Sequence, residues 1–493
     1  MAEMLQYGSP RGRWVIAATV LGSGMAALDA TVVGIALPTI GRDFSVGLGS
    51  LQWVSNGYTL ALAGLLLAGG ALGDRYGRRR MFSVGVVWFA VASLLCAVAP
   101  TAPVLIVARV LQGVGGALLT PGSLAILQAS FAPEDRFKAI GAWSGLGGVA
   151  TAIGPFLGGY LIGAVSWRLV FFINLPLAVA VLLIAARHVP ESRYAWAPKH
   201  LDVLGALLAA SGLAGLTYGL TDGPAHGWTS PAALGPLLVG VGLLAAFVVV
   251  ELRSPAPMLP LSVFRSAQFS AANLVTFVVY GALAGALFLV PVHLQQVAGY
   301  SPIEAGTALL PITALMLVFS SRSGALAARI GPRLQMSAGP LVVAVGMVLL
   351  ARIDRSGSYL AQVLPAVLVL GAGLAITVAP LTSTALSAAP MEHAGIASAV
   401  NNDVARTAGL IAVAVLPPVA GLTGASYLDP AAFAHGFRIA VVMAGIVCAA
   451  GGLLAAAFIR NPRAVASAAE PPAADHHHLH CALDGPPVPS ESR

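Results

Sequence analysis

The chain has 493 residues, of which 58% are apolar and only 9% charged, and its mean hydropathy is +0.86. Soluble globular domains carry roughly a quarter charged residues, so a cytosolic enzyme, a secreted disulfide scaffold and a disordered chain are excluded. The net charge of +7 sits in short gaps between apolar runs, which fits membrane orientation rather than a nucleic-acid partner.

A spanning helix needs about 20 mainly apolar residues. Fourteen such runs are read: 14–38, 51–73, 81–99, 103–128, 138–163, 168–187, 202–221, 231–252, 270–297, 303–328, 334–351, 359–383, 395–423 and 435–460. The expected fold is therefore an all-α integral membrane protein. The first run follows Arg11 and Arg13 but is too long for a signal peptide and contains Asp29, so it is a retained span. An even span count puts both termini on one side. With that side cytoplasmic, most Arg and Lys lie inside, including Arg75, Arg78, Arg79, Arg80, Arg136, Lys138, Lys199 and Arg253. The outer segments hold Arg42, Arg168, Arg352, Arg355 and Arg438, Arg352 and Arg355 together in one loop being the exception to the bias.

Residues 70–79 and 324–333 match at six of ten positions, including Gly77/Gly331 and Arg79/Arg333. They lie 254 residues apart, whereas six spans with loops need only about 180–200. The excess fits two more spans. The expected organisation is an N-terminal cytoplasmic segment 1–13, a six-helix bundle 14–187, a linker 188–260 with two extra transmembrane helices, a six-helix bundle 261–460, and a disordered cytoplasmic tail 461–493. Parallel six-span repeats suit alternating access about a central site. The tail holds His476, His477, His478, His480 and Cys481, read as a neutral tail, with metal binding as the alternative. The two lysines, Lys138 and Lys199, lie outside any phosphate-cradling Gly-rich loop, so ATP-driven pumping by this chain is not expected.

Five motifs follow in chain order. They are Leu28-Asp29-Ala30-Thr31 through Leu37-Pro38, the turn Gly70 to Arg79, Arg109-Val110-Leu111-Gln112-Gly113, Gly154-Pro155-Phe156-Leu157-Gly158-Gly159 preceded by Gly145, and Trp167 to Pro176. Together they resemble the major facilitator superfamily, and more closely its fourteen-span drug:proton antiporter group. Gly34 replaces the Asn usual in the first motif. The resemblance implies proton-coupled export of drug-like compounds across a bacterial plasma membrane. Outside the tail the sequence shows no paired His or carboxylate cluster at a membrane face, so no enzyme activity and no cofactor or metal is expected, the proton gradient being the drive. The resemblance also gives coupling roles to the span-one acid and the span-four Arg.

Ionisable residues within spans are costly and usually functional. Asp29 and Arg109 lie at depths that permit contact, so proton coupling by Asp29 tuned by Arg109 is expected, a fixed ion pair being the alternative. Asp403 and Arg406 share a helix face, as a local pair or a second proton site. Asp74, Arg75, Gly77 and Arg78 form an expected inner gate or a simple positive anchor. Gly145, Gly154, Pro155, Gly158 and Gly159 are expected to allow close helix packing. Thr31, Trp53, Asn56, Tyr58, Gln112, Phe277, Tyr280 and His293 are cavity candidates, though each fits a structural place as well. The expected partners are a small-molecule substrate, protons and membrane lipids, with the protein a monomer. A dedicated metabolite exporter and, less favoured, an uptake symporter are the alternatives.

Overall fold

The computed structural model describes residues 4–193, 202–255, 257–355, 358–388, 394–427 and 429–461. The His-rich tail segment and Lys199 lie outside them. Apolar runs in a bilayer must satisfy their own backbone, which only helices or closed barrels achieve. Among the described residues all regular structure is helical, and fourteen helical segments are long and apolar enough to span a membrane.

The first six spans are α1 (Pro10–Phe44), α2 (Leu48–Tyr76), α3 (Arg78–Ala97), α4 (Ala102–Ser130), α5 (Pro133–Ala164), and α6 (Leu169–Phe172) continued by α7 (Asn174–His188). The inserted pair is α8 (Val203–His226) and α9 (Pro231–Arg253). The last six are α10 (Ala267–Gln296), α11 (Pro302–Ala308) continued by α12 (Leu310–Ile330), α13 (Pro332–Leu350), α14 (Leu364–Ser387), α15 (Ala394–Val419) and α16 (Pro430–Phe458). Several starts follow from capping chemistry. Ser9, Ser230 and Ser301 each precede a Pro at the first helical position and accept a backbone N–H. Ser301 and Glu304 complete a reciprocal capping box.

The two bundles repeat the same packing. In the first, α2 and α3 pack on α4, α1 on α5 and α7, and α3 on α7. In the second, α12 and α13 pack on α14, α10 on α15 and α16, and α13 on α16. The repeated turns correspond in detail. Gly77 and Gly331 adopt φ of +111° and +86°, values that favour glycine. Each turn receives a side chain from the segment following its bundle's last helix. Glu191 accepts the Arg79 and Arg80 N–H groups at 3.1 and 3.2 Å, and Asn461 Oδ1 accepts the Arg333 N–H at 3.0 Å.

The bundles meet at the end of the molecule that carries Ser45. There Gln52 Nε2 donates to Val413 O at 2.6 Å, Gln295 Nε2 to Ile35 O at 3.0 Å, and Asn56 Nδ2 to Leu410 O at 3.4 Å. Toward the Gly77 end they diverge: a side chain added at Gly141, Gly145, Gly147 or Gly148 on α5 would meet nothing within 4 Å. Leu317, Val318 and Phe319 on α12 are exposed. In the inserted pair, α8 packs on α9 and touches both α2 and α15, so it lies along the seam.

Candidate functional site

Asp29 is fully buried on α1, and Arg109 on α4 is 1% exposed. Arg109 Nη1 donates to Asp29 Oδ2. It also donates to Gln112 Oε1 at 2.6 Å, and Nε donates to Val54 O at 3.0 Å. Gln112 lies one turn along α4 and its Nε2 returns to Asp29 Oδ1 at 2.8 Å and Ser93 Oγ at 2.9 Å. Asn174 Nδ2, at the start of α7, donates to both Asp29 Oδ1 and Ser93 Oγ at 3.3 Å. The Arg109 guanidinium lies 4.5 Å from the Tyr58 ring centroid and 5.8 Å from that of Phe171.

These contacts converge from five of the six spans of the first bundle. A buried charge is tolerable only when paired and hydrogen-bonded. Both Asp29 oxygens accept, together receiving Arg109, Gln112 and Asn174, which suits an ionised, acceptor-only carboxylate. A protonated Asp29 would present a hydroxyl and have to release a donor.

Ser93, Asn174, Cys96 and Phe171 were not among the expected site residues. Cys96 Sγ donates to Gln112 Oε1 at 3.6 Å. The sequence signal was an Asn amid the apolar run Leu169–Pro176. Asn174 Oδ1 is buried without a hydrogen-bond partner, so the network has spare acceptor capacity.

On α15, Asp403 and Arg406 are half-buried, but no ion pair joins them. The expected local pair is thus not formed: Asp403 Oδ1 and Arg406 Nε are both buried without hydrogen-bond partners. Arg406 lies within electrostatic reach of Tyr58 across the seam. Nearby on the same helix, Asn401 Nδ2 donates to Thr276 Oγ1 at 2.9 Å and Asn273 Oδ1 at 3.1 Å on α10.

The remaining expected residues separate by helix face. Asp74 pairs with Arg78 one turn away, with Nη2–Oδ1 2.7 Å and Nε–Oδ1 2.8 Å. The Arg75 guanidinium stacks on Tyr76. At Gly77 the acid meeting the α3 N-terminus is Glu191, from the segment after α7. Thr31 lies at the α1–α5 contact, bonded to Leu28 O and approached by Gly154. Asn56 is buried in the seam, whereas Trp53 points to Tyr218 of α8, centroids 6.1 Å apart.

Phe277 is 39% exposed. Tyr280 reaches Thr382 on α14. His293 is fully buried, stacks on Phe437 at 3.9 Å, and donates from Nε2 to Ile353 O at 3.0 Å. Its place is a packed corner of the second bundle rather than a cavity wall.

Gly154, Gly158 and Gly159 are tightly packed. A Cβ at Gly158 would lie 2.7 Å from Val32, and one at Gly159 2.6 Å from Ile303 of the other bundle. Gly306 meets the Pro155 carbonyl in the same seam. Gly145 is a correction to the expected packing stripe: its face of α5 meets open space, while Trp143 nearby still donates to Ser23 Oγ of α1 at 2.8 Å. Two grooves, of about 550 Å³ beside Trp88 and about 600 Å³ beside Arg13, are lined by residues outside the Asp29 network.

The family model for the Major Facilitator Superfamily matches residues 19–414. The tetracenomycin C resistance and export protein of Streptomyces glaucescens is 39% identical over 82% of this chain and 76% of its own length. The multidrug resistance protein Stp of Mycobacterium tuberculosis is 36% identical over 84% of this chain and 76% of its own. The puromycin resistance protein pur8 of Streptomyces alboniger is 36% identical over 89% and 90%. A bacterial homologue of the human lysosomal transporter Spinster superposes with a TM-score of 0.63 at 16% identity, covering 92% of this chain and 98% of that one. At that identity the likeness speaks for the fold alone.

Proposed function

The chain belongs to the Major Facilitator Superfamily of transporters, and we propose that it exports amphipathic organic compounds in exchange for protons by alternating access. It is a multi-pass membrane protein, not an enzyme. The observation that carries the proposal is Asp29, a fully buried carboxylate held by Arg109, Gln112 and Asn174. Relatives named for antibiotic or multidrug resistance and export support the direction and the cargo class.

In this scheme a proton neutralises Asp29 and frees Arg109 toward Tyr58, Val54 O and Gln112. The Arg-rich Gly77 end faces the cytoplasm, so the arrangement described here is closed to the outside. Rocking of one bundle against the other would open the Ser45 end. Arg406, facing Tyr58 from the second bundle, would sense the rearrangement of Arg109. The proton gradient is the sole energy source, each charge crossing 100 mV supplying about 2.3 kcal/mol. One copy of the chain carries the whole route.

Ethidium movement in inside-out vesicles with an imposed pH gradient tests this. Wild type should move the dye with the gradient, and Asp29→Asn should lose that dependence while remaining folded. Full gradient dependence in a folded Asp29→Asn protein would end the proposal. A second reading, export of one self-made metabolite, draws on the relative named for tetracenomycin C resistance and export. A folded wild type that moves no lipophilic cation but moves a single neutral or anionic polyketide-like compound would favour it.

A further inference from the structure

Outside both bundles, the inserted pair brings two carboxyls together where α8 begins and α9 ends. Asp202 caps α8, its Oδ1 accepting the Gly205 N–H at 2.7 Å. Glu251, in the last turn of α9, is 3% exposed, and its Oε2 accepts the Leu259 N–H at 3.0 Å. The other two oxygens, Asp202 Oδ2 and Glu251 Oε1, are closed to solvent and have no hydrogen-bond partner. Both converge on one point: a Cβ at Gly205 would lie 2.7 Å from the first and 2.8 Å from the second. Only a glycine leaves room for that approach.

Two ionised carboxylates are acceptor-only, so in this arrangement they would repel with no donor between them. One proton turns the clash into an O–H···O⁻ bond, among the stronger kinds. The helix ends decide where it sits. Asp202 lies at the positive N-terminus of α8, which favours its charge, and Glu251 at the negative C-terminus of α9, which does not. We propose that Asp202 and Glu251 form a proton-binding site in which Glu251 carries the proton and donates it to Asp202, clasping α8 to α9.

Within α8 the other titratable groups, Tyr218, Asp222 and His226, start sixteen residues away, about 24 Å along the helix. Arg253 and Arg265, on either side of the connection to α10, are exposed and make no ion pair with either carboxyl. Lys199 and His200 precede Asp202 and lie outside the described residues. The clasp has a lever: α8 packs on α2 of one bundle and α15 of the other, and the Glu251–Leu259 bond ties the same point to the segment entering α10. Losing the proton would separate the start of α8 from the end of α9. The site responds to pH at the Gly77 end.

The test uses the full chain in lipid nanodiscs. Infrared difference spectra should show a protonated-carboxyl C=O band that fades as pH is raised. That band should lose the intensity of one carboxyl in Glu251→Gln and in Asp202→Asn, since either amide supplies the donor without a titrating proton. A proton held only by the folded clasp makes the wild-type unfolding temperature fall through the same pH rise. Both variants should flatten that contribution. Lys199→Ala and His200→Ala should keep both the band and the pH response. An unchanged band in both amide variants would overturn the proposal, as would its loss in Lys199→Ala or His200→Ala. If one amide variant fails to fold, the other and the wild-type spectrum still decide.

Discussion

Removing one charge of the Asp29–Arg109 pair should cost far more than removing both. Asp29→Asn leaves a guanidinium at 1% exposure with only Gln112 Oε1, Val54 O and the Tyr58 ring in contact. The new amide also points N–H groups at donors from Gln112 or Asn174. Breaking a buried ion pair from one side costs about 3–5 kcal/mol, and the cation–π contact to Tyr58, already made in the intact pair, offsets none of it. Arg109→Gln should cost about the same, because Asp29 then keeps its charge with amide donors alone. In the double variant Asn and Gln can bond to each other, and the loss should be smaller than either single loss. The coupling should exceed about 2 kcal/mol, well above the few tenths expected of independent sites. Chemical unfolding of the four proteins in one detergent, followed by Trp fluorescence, measures it. Single losses that simply add to the double loss would refute the network as a coupled unit.

Gly306→Ala and Gly145→Ala should behave oppositely. The first drives a Cβ into the Pro155 carbonyl, should cost about 1–3 kcal/mol, and should raise labelling of a cysteine placed in the seam near Gly159. The second meets open space and should leave labelling unchanged. Glu191→Ala removes the acceptor for two backbone N–H groups at the start of α3 and should lower stability by about 1–2 kcal/mol, with Glu191→Gln partly restoring it in the same unfolding assay. His293→Phe should lose about 1 kcal/mol with the bond to Ile353 O yet keep the wild-type pH profile of transport. A displaced profile would mean that His293 titrates during the cycle.

Hydropathy was enough to count the spans, because each is a long apolar run set off by Arg, Gly or Pro, and the 254-residue spacing of the two repeated turns located the inserted pair. The Asp29–Arg109 contact was legible from depth along two antiparallel spans. Rotation about the helix axis was not. Trp53 and Asn56 sit on one helix three residues apart, yet one meets α8 and the other the opposite bundle. Glu191, Asn461 and the Asp202–Glu251 approach depend on segments more than 45 residues apart in sequence, which no local pattern reports. Gly145 belongs to a sequence stripe that the helix follows for only part of its length.

Proton release on cargo binding tests the coupling role of Asp29 most directly. Ethidium is added to purified protein in weakly buffered detergent solution, and the pH change is followed for wild type and Asp29→Asn. The account predicts proton release by wild type, largest where Asp29 is protonated beforehand, and none by the variant despite retained ethidium binding. Equal release by both would contradict it.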